Sequence, residues 1–197
     1  MSKLWVFAGP NGSGKSTVTR RVIDFAPGVY INADLTQTKL GCSAMEAASI
    51  AEETREYYLE RNEDFTFETV LSTDRNLNLM RRAKEQGYEI TCFYVITNDP
   101  EINVARVKKR ARLGGHDVPT EKVRSRYLRC MDLLPNLIPI CNHLLIFDNS
   151  GEQDTGIASV IAYAENGEIV EISPNTMWTE DDIRALLEGT YSALFQE

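Results

Sequence analysis

The segment Gly9-Pro10-Asn11-Gly12-Ser13-Gly14-Lys15-Ser16-Thr17 constrains the fold more than anything else in the chain. It satisfies G-x-x-x-x-G-K-[ST] without a mismatch, after an apolar run (Leu4–Ala8) that reads as a buried strand and before a helical pattern. Each residue type has a physical reason. The glycines let successive backbone N–H groups turn inward on a phosphate, and the following helix adds the positive end of its dipole. Lys15 supplies a point charge for β/γ-phosphates, and the Ser16 hydroxyl is placed to ligate Mg²⁺. Gly9 to Thr17 are therefore the expected nucleotide-binding residues, with ATP and Mg²⁺ as the expected ligands.

A strand, a glycine loop and a helix demand more strands beside them, and the chain supplies them. Short apolar runs alternate with longer helical patterns, the signature of a parallel sheet with crossover helices. Strands are expected at Leu4–Ala8, Val29–Asn32, Phe65–Glu68, Ile90–Ile96 and Leu144–Phe147. Helices are expected from Lys15 to about Phe25, from the capping box Ser43-Ala44-Met45-Glu46 to about Arg61, and from Leu77 to Gln86. Asn98-Asp99-Pro100-Glu101 starts a further helix that stops at Gly114-Gly115. Thr120 is expected to cap the next, whose apolar positions are Val123, Tyr127, Met131 and Leu134. The tail differs: Ile157–Tyr163 and Glu168–Ile172 flank an Asn166-Gly167 hairpin signal, and a helix follows Thr179. The expectation is an α/β fold in one domain over 1–197. Its core is 1–150 with a lid near 106–119, and 151–197 is an appended hairpin and helix.

The formal charge of −8 argues against general binding to nucleic acid or a membrane surface. Its distribution is more informative. Nine Lys or Arg residues lie between Arg106 and Arg129, opposed only by Asp117 and Glu121, so this stretch is +7 and the remainder −15. A local basic segment in an acidic chain suggests a site for a compact polyanion; the alternative is a solvated helix face. Cys42, Cys92, Cys130 and Cys141 have no metal-binding or redox spacing and read as reduced thiols of a cytoplasmic protein. No apolar run approaches the ~20 residues needed to cross a bilayer, and the N-terminus is too short and too soon glycine-rich for a signal peptide.

Pro10–Thr17, Asn32-Ala33-Asp34 and Phe67-Glu68-Thr69-Val70-Leu71-Ser72 together resemble the zeta toxin-like family of P-loop kinases. Arg106-Val107-Lys108-Lys109-Arg110, with Gly114-Gly115-His116-Asp117-Val118-Pro119, looks like the lid of that family's bacterial zeta-like branch, and Phe147-Asp148-Asn149-Ser150 recurs there. The match covers roughly residues 4 to 150. It implies an NMP-kinase-like three-layer fold with five parallel strands. It also implies transfer of the ATP γ-phosphoryl group to a hydroxyl of a small molecule, the best-known members phosphorylating UDP-N-acetylglucosamine.

By that resemblance Asp34 is the general base, and a carboxylate after the second strand would lie at the sheet's carboxyl edge, where open α/β folds bind ligands. The simpler reading of Asp34 is a helix or turn cap. Glu68, Thr69, Arg75 and His116 are the expected substrate-binding residues. Arg106 and Arg110, four apart on one helix face, are expected to bracket the transferring group. The chain departs from the best-known toxins in being shorter and in its Gly-Gly-His lid, where theirs has arginine in place of histidine. Three other readings stay open: a nucleoside or other metabolite kinase, a nucleotide-dependent binding module that hydrolyses little, and the toxin of a two-gene module whose antitoxin-like partner covers the ATP site.

Overall fold

A computed structural model describes residues 1–115, 117–151 and 158–195. Its centre is a seven-stranded sheet in the order β2-β3-β1-β4-β5-β6-β7. The strands are β1 (Lys3–Ala8), β2 (Val29–Ile31), β3 (Phe65–Thr69), β4 (Glu89–Ile96), β5 (His143–Asp148), β6 (Ser159–Glu165) and β7 (Glu168–Ile172). The first five pair in parallel. β1 sits between β3 and β4, so the chain leaving its carboxyl end opens onto the crevice where such sheets bind ligands.

The helices are α1 (Lys15–Val22), α2 (Ala33–Leu40), α3 (Ala44–Glu60), α4 (Asp74–Glu85), α5 (Pro100–Arg112), α6 (Thr120–Leu133) and α7 (Glu180–Glu188). Side chains alternate across the central strands and make a three-layer core. Leu4, Val6, Phe65, Phe67, Cys92 and Tyr94 face a large cluster that includes Ala51, Met80, Tyr127 and Ile183 from the helices. Phe7 and Phe93 face the other way, towards Val18 of α1, and stack at 5.0 Å between ring centroids.

Two capping boxes form, Ser43 with Glu46 and Thr179 with Asp182, and Asp99 caps α5 ahead of Pro100. Thr120 is a correction: it is the first residue of α6, with Pro119 at the cap position and no side-chain capping bond. Helix α2 has no counterpart in the sequence reading, because none of its residues is buried and no apolar stripe marks it. The C-terminal hairpin is hydrogen-bonded into the sheet, with β6 antiparallel to β5 and β7 to β6. Among the described residues no helix is long and apolar enough to cross a membrane.

Candidate active site

The glycine loop turns at the carboxyl end of β1 and is held from outside by two asparagines and an arginine. At Gly14 (φ 93) a Cβ would lie 2.0 Å from the Asn149 amide nitrogen, which itself donates to the Ser13 carbonyl at 2.7 Å. Fully buried Asn103 of α5 donates to the Asn11 carbonyl at 2.7 Å and accepts from the Thr97 hydroxyl. Arg126 of α6 donates to the Asn11 side-chain oxygen at 3.1 Å. Lys15 is buried and folds back on its own loop, its Nζ donating to the carbonyls of Gly9 (2.9 Å) and Pro10 (3.2 Å). Burial pushes its ammonium below the ordinary lysine value; the charges of Glu68 and Asp34 oppose this and that of Arg110 reinforces it.

The loop forms one wall of a cavity of about 1040 Å³. Sites for one small molecule typically run ~300–1,000 Å³, so the space is at the upper end of that range. Lys15, Ser16, Asp34, Glu68, Thr69, Arg106 and Arg110 all line it, which brings together most of the residues singled out from sequence. Arg75 is not brought there. It is 69% exposed and pairs with Glu52 of α3 at 2.7 Å. His116 lies outside the described residues.

Asp34 sits in the first turn of α2, but Asn32 supplies the cap, its Oδ1 accepting from the Leu35 N–H at 3.2 Å. The Asp34 carboxylate has no hydrogen-bond partner among the described residues and faces the cavity, so the capping explanation of this residue falls away. Glu68, at the end of β3, is fixed. Its Oε2 accepts from the Tyr30 hydroxyl at 2.8 Å and the Asn32 amide at 3.1 Å. Burial first, and then the Glu68 charge, raises the Tyr30 hydroxyl above its usual value, so it stays protonated and donates. Thr69 turns its hydroxyl to the chain, accepting from the Leu71 N–H (3.0 Å) and the Asn76 amide (2.7 Å).

The basic stretch divides. Arg106, Lys109, Arg110 and Arg126 line the cavity. Arg124 instead pairs outside with Glu101 (2.6 Å) and Glu121 (2.7 Å), as a solvated face would. Arg106 and Arg110 share a face as their spacing implied, but in different settings. Arg106 donates to the Asn149 and Gly151 carbonyls, both at 2.8 Å, bracing the loop after β5. Arg110 acts electrostatically on Lys15.

Tyr30, Arg55, Asn103, Arg126 and Asn149 were not singled out as site residues from sequence. Asn149 lies in a recurring segment of the resemblance and Arg126 in the basic stretch. Arg55 interrupts the buried stripe Ala47, Ala51, Leu59 of α3, a signal visible in the sequence.

Residues 4–132 match the family model described as an AAA domain. An uncharacterised protein of Haemophilus influenzae is 31% identical over 137 residues, which span 64% of this chain and 97% of that relative. Among solved structures, a chain of the AvrRxo1-ORF1:AvrRxo1-ORF2 complex superposes with a TM-score of 0.69 at 16% identity, over 100% of this chain and 66% of that one, just under two thirds of its length. The same complex with ATP gives 0.65 at 16% identity, over 100% of this chain and 76% of that one. A chain of the PezAT chromosomal toxin–antitoxin system of Streptococcus pneumoniae gives 0.56 at 16% identity, over 99% and 87%. At these identities the likeness is one of fold.

Proposed function

The chain belongs to the AAA domain family, and from that premise we propose that it is an ATP-dependent kinase of the zeta toxin-like kind, acting on a hydroxyl of a small molecule. The observation that carries this reading is the Asp34 carboxylate, uncapped and open to the same cavity as Lys15 and Arg110. A closed face around Asp34 would have favoured a nucleotide-dependent binding module, and this face opens on the cavity. A complex of similar fold crystallised with ATP agrees with ATP as donor.

In this reading Lys15 leaves the Gly9 and Pro10 carbonyls for the β/γ-phosphate oxygens, a move that exchanges two neutral acceptors for a charged one. The acceptor hydroxyl gives its proton to Asp34 as its oxygen bonds to the γ-phosphorus, and the bond from that phosphorus to the β-phosphate oxygen breaks to release ADP. Arg110 offsets charge on the transferring group. Glu68, held by Tyr30 and Asn32, orients acceptor hydroxyls. The donor set suits Mg²⁺ held largely by nucleotide and water. Ser16 lines the cavity, and the described residues contain no cluster of three His, Cys, Asp or Glu able to hold a metal alone. When bound, Mg²⁺ would neutralise the β/γ oxygens. All of 1–197 then serves one kinase domain, with 106–119 as its lid.

The test pairs two variants in calorimetry and an ATP-consumption screen across nucleotide sugars and nucleosides. Lys15→Ala loses most ATP affinity. Asp34→Asn keeps ATP affinity and cuts transfer about 10²-fold or more. Full turnover in Asp34→Asn would refute the assignment of the base. An antitoxin-like partner also belongs to the proposal, supported by the toxin–antitoxin neighbour; a small protein encoded beside this one that competes with ATP would establish it.

A further inference from the structure

Arg55 of α3 is 8% exposed, yet no hydrogen bond or ion pair to it is found among the described residues, and its Nε is buried without a partner. Burying a guanidinium is costly unless something pairs with it. The carboxylates nearest along its own helix are already taken: Glu52 pairs with Arg75 at 2.7 Å and Glu56 with Arg82 at 2.6 Å. What Arg55 has is the face of Phe67, 5.4 Å from its guanidinium carbon to the ring centroid, and an opening onto the cavity.

The helix shapes that opening. Ala44, Ala48, Ala51 and Arg55 all line the cavity, spaced as one face of α3. Three methyl groups leave room, and the arginine ends the row. The position is separate from the phosphate loop. Lys15 feels Glu68, Asp34 and Arg110, whereas Arg55 feels Glu52, Glu56 and Arg75, with no charged neighbour in common. A cavity at the large end of the usual range leaves space for a second ligand beside a nucleotide.

We propose that Arg55 is the anion-binding residue of the acceptor subsite, so that the hydroxyl compound phosphorylated here carries a phosphate or carboxylate group that pairs with this guanidinium. The inference rests on the kinase reading and narrows its substrate class. The guanidinium sits over the Phe67 ring, and a planar fork presents two parallel N–H donors to an oxyanion. The ligand would supply the missing partner, and the chain holds the arginine buried and unpaired in its absence.

The test is a two-step calorimetric titration. A non-hydrolysable ATP analogue with Mg²⁺ is bound first, and inorganic phosphate is then titrated, with acetate in a parallel arm. Phosphate is expected to bind beside the analogue, and Arg55→Met to weaken it at least tenfold while leaving the analogue's affinity unchanged. Binding of phosphate alone indicates a phosphorylated acceptor; binding of acetate as well admits a carboxylate. Because the replaced charge is unpaired, Arg55→Met should melt at the same temperature as the parent or higher. Absence of anion binding beside the analogue, or equal binding in Arg55→Met, overturns the inference and leaves the kinase reading standing. A melting temperature lowered by several degrees with phosphate binding intact assigns Arg55 to packing on Phe67 and overturns it too. Failure of the analogue to bind the parent protein overturns both.

Discussion

Replacing Trp178 by phenylalanine tests how the C-terminal segment supports the phosphate loop from a distance. Trp178 is fully buried, and its indole donates at 3.0 Å to Oδ1 of Asp148, itself 5% exposed at the end of β5. Asp148 also accepts from the N–H (2.8 Å) and hydroxyl of Ser150 and from the Asn175 amide (3.0 Å). The next residue in the chain, Asn149, holds Ser13 and receives Arg106. Trp178→Phe removes one charge-assisted hydrogen bond to a buried carboxylate, worth about 1.5–3 kcal/mol. It also removes on the order of 50 Å² of buried ring, a further ~1.5 kcal/mol. The expected loss is about 3–4.5 kcal/mol, or roughly 6–18 °C in Tm for a chain of this length. Urea denaturation and calorimetry read the loss, and a nucleotide titration in the same sample reads the coupling, expected as weaker ATP binding. A stability loss below about 1 kcal/mol would mean that Asp148 is satisfied without the indole. Full stability loss with unchanged ATP affinity would cut the link from Asp148 to the loop.

The two cavity arginines should separate kinetically: Arg110→Ala lowers kcat on the order of 10²-fold or more with little change in the KM for ATP, whereas Arg106→Ala mainly raises that KM by releasing the loop at Asn149 and Gly151. Equal losses of kcat in both would put both guanidinium groups on the transferring phosphoryl. Burial pushes the Cys130 thiol up to about 12 against the downward pull of Lys15, Arg126 and Arg129. Iodoacetamide at pH 8 should therefore modify half-exposed Cys42 in the folded protein and spare Cys130, as mass spectrometry of the digest would show. Labelling of Cys130 ahead of Cys42 would contradict this.

What could be read before the structure was what single residues impose locally. The glycine loop, the Ser43 and Asp99 caps and the Asn166-Gly167 turn each follow from a conformation or hydrogen bond that few residue types supply. The apolar run of β4 could only be a strand buried on both faces, and all of Ile90 to Ile96 is buried or nearly so. Helix α2 escaped because its eight residues bury nothing, so no periodicity records it. The site divides along the same line. Lys15, Asp34 and Glu68 stand in short motifs, whereas Tyr30, Asn103 and Asn149 matter through partners 38, 92 and 136 residues away in the chain. Arg55 was visible as an arginine inside an apolar stripe, but only the pairing of Glu52 and Glu56 with α4 shows that its charge is left over.

These attachments also decide which part of the basic segment can act as a lid. Closure over a nucleotide needs a segment that moves against the phosphate loop. The first half of α5 has no such freedom: Asn103 bonds the Asn11 carbonyl, and the Asn103 backbone lies so close that a Cβ on Gly12 would sit 2.5 Å from its oxygen. Arg106, one turn on, is tied to Asn149 and Gly151. On its apolar side the helix packs through a small cluster, Val104 and Val107 with Val123 of α6 and partly buried Val118. Gly114, at φ 84 with open space around its Cβ position, ends the helix there. A movement that brings Arg110 onto a phosphoryl group would then start in the last turn of α5, pivoting after Arg106. Arg106 would serve as the fixed end of that movement and Arg110 as its working end, which is why two arginines four residues apart on one face need not do the same job.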